Sequence, residues 1–196
     1  MGTKIVSLKL NSKGPLLMHC DKFANPMDQG AIAMKALTAK LKKSQEVLTE
    51  IARLSYFGSL YNSDGVVGIP GVCLEAAIKD AAKLQKLGKV VEREVMVVEH
   101  FMPLTYDGPQ DPNELWADKK FCDCRSVVVG KARVMRYRPK FSNWTLAAHL
   151  QFDDKQIDID RLLGIVRDAG SKIGICDFRP KFGRFELDES TVSVSI

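Results

Sequence analysis

The chain has 196 residues, 45% of them hydrophobic and 27% charged, with a formal net charge of +5. That composition belongs to a globular protein with enough apolar residues for a core, and it argues against a disordered or low-complexity chain. No apolar run approaches the roughly 20 residues of a membrane span, and residues 1–7 lack the apolar segment of a signal peptide.

Residues 4–10 alternate Ile5, Ser7, Lys9 against Val6, Leu8, Leu10 and predict a strand. Pro15-Leu16-Leu17-Met18-His19 follows a Gly-Pro break, as its continuation or a second short strand. After a loop at residues 25–30, residues 31–54 are the longest helical candidate. Its cations Lys35, Lys40, Lys42 and Lys43 read as a solvated face. Residues 71–87 place Val72, Leu74, Ala77, Ile78, Ala81 and Leu84 at helical spacing, with Gly88 as the cap.

Residues 90–101 predict a strand. Residues 103–120, with Pro, Gly, Asp and Asn, predict a long loop, mobile or partner-facing. A basic strand is expected at 125–137, a turn at 139–143, and an antiparallel mate at 144–152. Residues 158–169 predict a helix with Ile159, Leu162, Leu163 and Val166 on one face, and a last strand falls near 182–187. This order predicts an α+β fold, an antiparallel sheet with helices on one face, for which ferredoxin-like topology is the simplest arrangement.

Two stretches concentrate the chemistry. Between Arg125 and Phe141 the chain carries Arg125, Lys131, Arg133, Arg136, Arg138 and Lys140 with no acid after Arg125. Alternation puts Lys131 and Arg133 on one face and Arg136 and Arg138 on the other. One reading is a projecting basic hairpin of Arg136, Arg138 and Lys140 tipped by Phe141 and Trp144. The other is a solvated edge strand with Tyr137, Phe141 and Trp144 in the core. The second stretch is Gly174-Ile175-Cys176-Asp177-Phe178-Arg179-Pro180-Lys181-Phe182-Gly183-Arg184-Phe185. Arg179, Lys181 and Arg184 suit phosphate there, and Gly174 and Gly183 allow a partner close approach. The competing reading puts the phenylalanines in the core and pairs Asp177 with an arginine. The glycine-rich run points to a polyanionic partner, and a projecting basic hairpin with aromatic residues would suit nucleic acid.

Cys20, Cys73, Cys122, Cys124 and Cys176 read as reduced, semi-buried thiols of a cytoplasm-like compartment. His19, His100 and His149 sit in separate contexts suited to structural roles. Asp153, Asp154, Asp158 and Asp160 are explained by a turn into a helix N-terminus, so neither a metal nor another cofactor is expected.

Several segments together resemble a known family. Ile69-Pro70-Gly71-Val72-Cys73-Leu74-Glu75-Ala76-Ala77-Ile78-Lys79 resembles the helix entry of the RAMP superfamily, the CRISPR-associated RNA-binding proteins. Pro15-Leu16-Leu17-Met18-His19, Arg136-Tyr137-Arg138-Pro139-Lys140-Phe141 and the run ending in Phe185 are similar to small RAMP-like proteins of phages and prophages. The resemblance implies a modified ferredoxin-like, RRM/RAMP-like fold, as a single domain over residues 1–196 with a loop insertion at about 102–122. It also implies a non-catalytic protein that binds single-stranded nucleic acid, RNA in preference to DNA, and self-associates along the strand in the cytoplasm of a bacterial host. The alternative is a phage anti-defence protein that mimics or caps a CRISPR backbone subunit, with host CRISPR effector subunits as partners and no membrane contact. Superfamily endonucleases use a His near the first helix; residues 31–54 contain none, so the expectation is no enzyme.

Overall fold

The structure, a computed structural model, describes residues 2–195. In chain order its elements are β1 (Thr3–Ser12), β2 (Leu16–Leu17), α1 (Gln29–Thr38), α2 (Gln45–Ser59), β3 (Asn62–Ser63) and β4 (Val66–Pro70). Next come α3 (Gly71–Leu84), α4 (Gly88–Glu94), β5 (Val95–Val97), β6 (Phe101–Thr105) and α5 (Pro112–Ala117). The remainder is β7 (Cys122–Val129), β8 (Ala132–Phe141), β9 (Thr145–Asp153), α6 (Ile159–Asp168), β10 (Phe185–Leu187) and β11 (Ser193–Ser195). These elements divide into two compact units. The first holds the described residues up to Leu16, Gly68–Asp107 and those from Ser142 onward; the second holds Leu17–Val67 and Gly108–Phe141.

The first unit is ferredoxin-like. Its antiparallel sheet runs β10-β1-β9-β6-β4, with β5 also on β9 and β11 also on β1. Counting β5 and β6 as one interrupted strand, the chain reads strand β1, helix α3, strand β5/β6, strand β9, helix α6, strand β10. The sheet then has the fourth strand beside the first, the first beside the third, and the third beside the second. One sheet face buries Val6, Leu8 and Leu10 of β1 and Leu146, Ala148, Leu150 and Phe152 of β9. Those side chains share a core with Leu74, Ala77, Ile78 and Ala81 of α3 and Leu162 and Val166 of α6. Each fully buried Leu or Phe contributes about 1.5–3 kcal/mol, so this one-sided alternation settles the register.

The second unit comes from two insertions into that frame, one between β1 and α3 and one between β6 and β9. Its β7 and β8 pair without a break from Cys122↔Pro139 to Val129↔Ala132. The two-residue turn is Gly130-Lys131, with Gly130 at φ +60 and no positive φ at Lys131, the pattern of a type II′ hairpin. Helix α2 packs against β8, and α1 packs against α2. Tyr56, Leu115 and Phe141 are fully buried, and ring contacts join Tyr56 to Trp116 at 5.3 Å, Trp116 to Tyr137 at 6.3 Å and Phe121 to Phe141 at 5.8 Å.

Several expected elements differ. The helix expected over residues 31–54 is two helices, because Ser44 starts a new one by accepting the Val47 N–H at 3.4 Å. The strand expected over 90–101 is the short helix α4, then β5 and the start of β6. Residues 103–120 contain the end of β6 and helix α5, whose N-cap Asp111 accepts from Asn113 N–H at 2.8 Å. The basic stretch at 125–141 is two strands, and its mate is β7 within the stretch, not 144–152. Strand β9 instead pairs with β1, held there by Trp144, whose main-chain N–H donates to Ser12 Oγ at 3.1 Å and whose indole N–H donates to Gly14 O at 3.0 Å.

Candidate nucleic-acid interface

The eight basic candidates fall in different units: Lys131, Arg133, Arg136, Arg138 and Lys140 in the second, Arg179, Lys181 and Arg184 in the first. Lys131 is exposed at the β7–β8 turn, and Arg133 is exposed on β8. Arg136 is half-buried and stands directly opposite Arg125, whose guanidinium forks onto Asp123. Arg138 is only 6% exposed and stands opposite Asp123, so it does not present its fork to solvent. Lys140 is half-buried. Phe141 and Trp144 are not the tips of an arm but core residues, 0% and 2% exposed. The tip is Gly130-Lys131.

A groove of about 950 Å³ in the second unit gathers what this stretch offers. Leu48, Ile51 and Ala52 of α2 line one wall; Arg133, Met135, Arg136 and Tyr137 of β8 line the other. Trp116 lies along it, and Lys119 Nζ sits over the Trp116 ring at 4.9 Å. Lys43 contributes its alkyl stem and ammonium, which donates to Lys40 O at 2.6 Å. Four cations, Lys43, Lys119, Arg133 and Arg136, therefore line the groove with no acid. Among the described residues neither Arg133 nor Arg136 has an ion-pair partner. Such a site attracts anions at long range, and its cost of like-charge crowding is relieved when an anion enters. At the rim, a hydrogen bond with Cys124 and partial burial hold the Tyr137 phenol above its ordinary range.

The glycine-rich run of the first unit is largely engaged with itself. Gly183 N–H donates to Pro15 O at 2.8 Å, and Ile175 N–H donates to Gly183 O at 2.9 Å. A Cβ on Gly183 would lie 1.9 Å from Ile175 O, and one on Gly174 would lie 2.6 Å from Phe182 O. The close approach these glycines permit is therefore to the loop's own backbone. Phe182 and Phe185 are buried, as the competing sequence reading has it, while Phe178 is 44% exposed. Arg179 reaches Asp80 at 3.5 Å, and Arg184 Nε donates to Pro180 O at 2.8 Å. Lys181 is exposed. The Cys176 thiol hydrogen-bonds with Cys73, and that bond together with burial pushes it well above its ordinary value, away from thiolate chemistry.

The outer sheet face of the first unit, where RNA-recognition modules place stacking aromatics, carries Ser7, Lys9, Asn11, Ala147, His149 and Gln151. His149 contacts Glu99. Burial alone would raise the Glu99 carboxyl, but hydrogen bonds from His149 outweigh it and hold the group below its ordinary value. Lys9 is the one fixed cation there, and the His149 imidazole is already engaged with Glu99. With no phenyl or indole group among the described outer-face residues of these two central strands, this face is a poor nucleic-acid platform. Asp158 caps α6 by accepting the Arg161 N–H at 2.9 Å, and Asp154 pairs with Lys4 at 2.7 Å. Sequence reasoning missed Trp116, Lys119 and Lys43. The adjacent Trp116, Lys119 and Lys120 in a segment read as a partner-facing loop were the available signal.

Neither a scan against protein-family models nor a search of curated proteins finds a match. Among solved structures the chain is similar to a chain of the type III-B Cmr-beta bound to cognate target RNA, with a TM-score of 0.45 and 10% identity. The similarity covers 98% of this chain and 61% of that one, so the chain spans less than two thirds of that chain's length. Among the described residues no helix is long and apolar enough to cross a membrane.

Proposed function

We propose that this protein binds single-stranded nucleic acid without transforming it, and that the groove between α2 and β8 is where the strand lies. One observation carries the reading: four cations and the Trp116 ring line a groove that contains no carboxylate. Phosphates need the cations, and unstacked bases need an aromatic or apolar surface. RNA is preferred over DNA, and a phage or prophage origin with copies arrayed along one strand is favoured, on the sequence resemblance described above. Neither His19, beside Ser59 at 3.4 Å, nor His149, beside Glu99, is among the described residues that line the groove, which supports a binding rather than a cleaving role for it.

The test is fluorescence anisotropy with a labelled single-stranded RNA across a salt series, comparing the chain with a Lys43→Ala, Lys119→Ala, Arg133→Ala, Arg136→Ala variant. Arg138 is left intact because it is buried. The log–log salt slope should flatten by about 0.7 for each phosphate that is no longer neutralised, hence by up to roughly 3. Unchanged affinity and slope in a variant with an unchanged circular-dichroism spectrum would overturn the reading.

A further inference from the structure

Resting on that reading, we propose that the unpaired margin of β8 reads one base of the bound strand through the main-chain N–H and C=O of Met135, with Arg133 supplying the neighbouring pair. In an antiparallel ladder, residues alternate between those whose N–H and C=O face the partner strand and those whose groups face away. Two contacts fix which are which in β8. Ser55 Oγ accepts the Tyr137 N–H and donates to the Tyr137 C=O, both at 3.3 Å, and Pro139 O accepts the Met18 N–H at 3.0 Å. Neither Ser55 nor Met18 belongs to β7. The odd-numbered residues of β8 therefore turn their main chain away from β7, and Pro139, which has no N–H, sits where none is needed. The register from Cys122↔Pro139 to Val129↔Ala132 is unbroken. Hence Met135 and Arg133 present N–H and C=O to the groove, where among the described residues no strand covers them.

A free strand edge is open to another strand as well as to a base, and its length decides between them. Ser55 closes the edge at Tyr137, and the turn at Gly130-Lys131 ends it on the other side. Two outward-facing residues remain, roughly 7 Å apart. That is short for strand addition, since strands usually run about 5–6 residues. It matches the hydrogen-bonding edge of a nucleobase, which sets a donor beside an acceptor. The flanking chemistry agrees: Trp116 lines the groove with Lys119 over its ring, Leu48 and Met135 are apolar and about half exposed, and Arg133, Arg136 and Lys119 are the cations available to the phosphates on either side.

The experiment compares a labelled RNA of roughly twelve nucleotides, within the usual site sizes, with an abasic ribose-phosphate strand of equal length. The abasic strand should bind roughly tenfold or more weakly with the same salt slope, because the bases are removed and the phosphates are kept. Met135→Pro removes the outward-facing N–H together with the Met side chain and should bring the base-bearing strand down toward the abasic level, closing the gap between the two strands. Met135→Leu keeps both main-chain groups and an apolar side chain, and should retain the preference for the base-bearing strand over the abasic one. If Met135→Pro lowers the melting temperature, an ester in place of the amide at position 135 removes the same N–H without the ring. Equal affinity for the two strands would overturn the base-reading inference and leave the nucleic-acid reading standing. Binding of neither strand would overturn both. Displacement of the abasic and base-bearing strands alike by an extended acidic peptide that itself binds more tightly would assign the edge to a protein strand and overturn the inference.

Discussion

The Ser55 hydroxyl serves both main-chain groups of Tyr137, accepting its N–H and donating to its C=O at 3.3 Å each. Ser55 is only 6% exposed and is the point where α2 meets β8. Ser55→Ala strands a half-buried N–H and C=O together, and leaving such groups unpaired costs about 1–3 kcal/mol. Urea denaturation should show that loss as a lower midpoint at unchanged m-value. A change below about 0.3 kcal/mol would mean that water replaces the hydroxyl without penalty.

Trp116 and Trp144 are the two tryptophans, and they report on different places. Trp144 is 2% exposed and hydrogen-bonded through its indole, whereas Trp116 lines the groove under Lys119. Titration with single-stranded RNA should quench Trp116 emission, since a base stacking on the indole supplies a quencher in contact. Trp116→Phe should abolish the change while keeping most of the affinity, and Trp116→Ala should lose roughly five- to tenfold or more in affinity. Quenching that survives in Trp116→Phe would place the strand elsewhere.

The sequence carries the ferredoxin-like frame because its signals are local and periodic. Val6, Leu8 and Leu10 alternate into the core, and α3 and α6 repeat apolar residues at helical spacing. The groove was hidden because it depends on a turn and a helix break whose signals are faint. Gly130-Lys131 lies inside a run from Ser126 to Met135 that reads as continuous strand, and only the glycine's position marks the reversal. Ser44 divides α1 from α2 by capping, a role that a Lys-rich helical pattern conceals. Trp116 and Arg133 are 17 positions apart, and nothing short of the hairpin register and the α5 turn brings both to one groove.

Asp80 accepts from Lys83 Nζ at 2.7 Å and faces Arg179 at 3.5 Å. The Lys83 hydrogen bond, then the charges of Lys83 and Arg179, hold its carboxyl below the ordinary value of 3.8 against the opposing effect of burial. A carboxyl lowered in the folded state stabilises it above the unfolded value, and that contribution disappears as pH falls through the lower folded value. Asp80→Asn should therefore lower the melting temperature at pH 7 and leave it unchanged once the pH lies below both the folded and the unfolded value of the carboxyl. The group is about one third exposed, so solvent screening keeps the effect near 0.5 kcal/mol. An equal loss at both pH values would assign the effect to packing instead of charge.

Gly183 has φ +73, and a Cβ there would meet Ile175 O at 1.9 Å. For an alanine the left-handed conformation costs about 1–2 kcal/mol, and the backbone clash adds displacement of the paired 174–183 segment. Gly183→Ala should thus destabilise the protein by at least about 2–3 kcal/mol. Gly14 is the control, because a Cβ there meets nothing within 4 Å and its φ is not in the left-handed region. Gly14→Ala should leave the melting temperature within a degree or two, since surface changes of this kind stay within about 0.5 kcal/mol. The two readings of the glycine-rich run then separate by affinity. If its glycines serve the loop's own closure, Gly183→Ala held well below its melting temperature should bind single-stranded RNA as the parent does. If they admit a phosphate, affinity should fall in the folded variant, and the loop would rejoin the candidate interface.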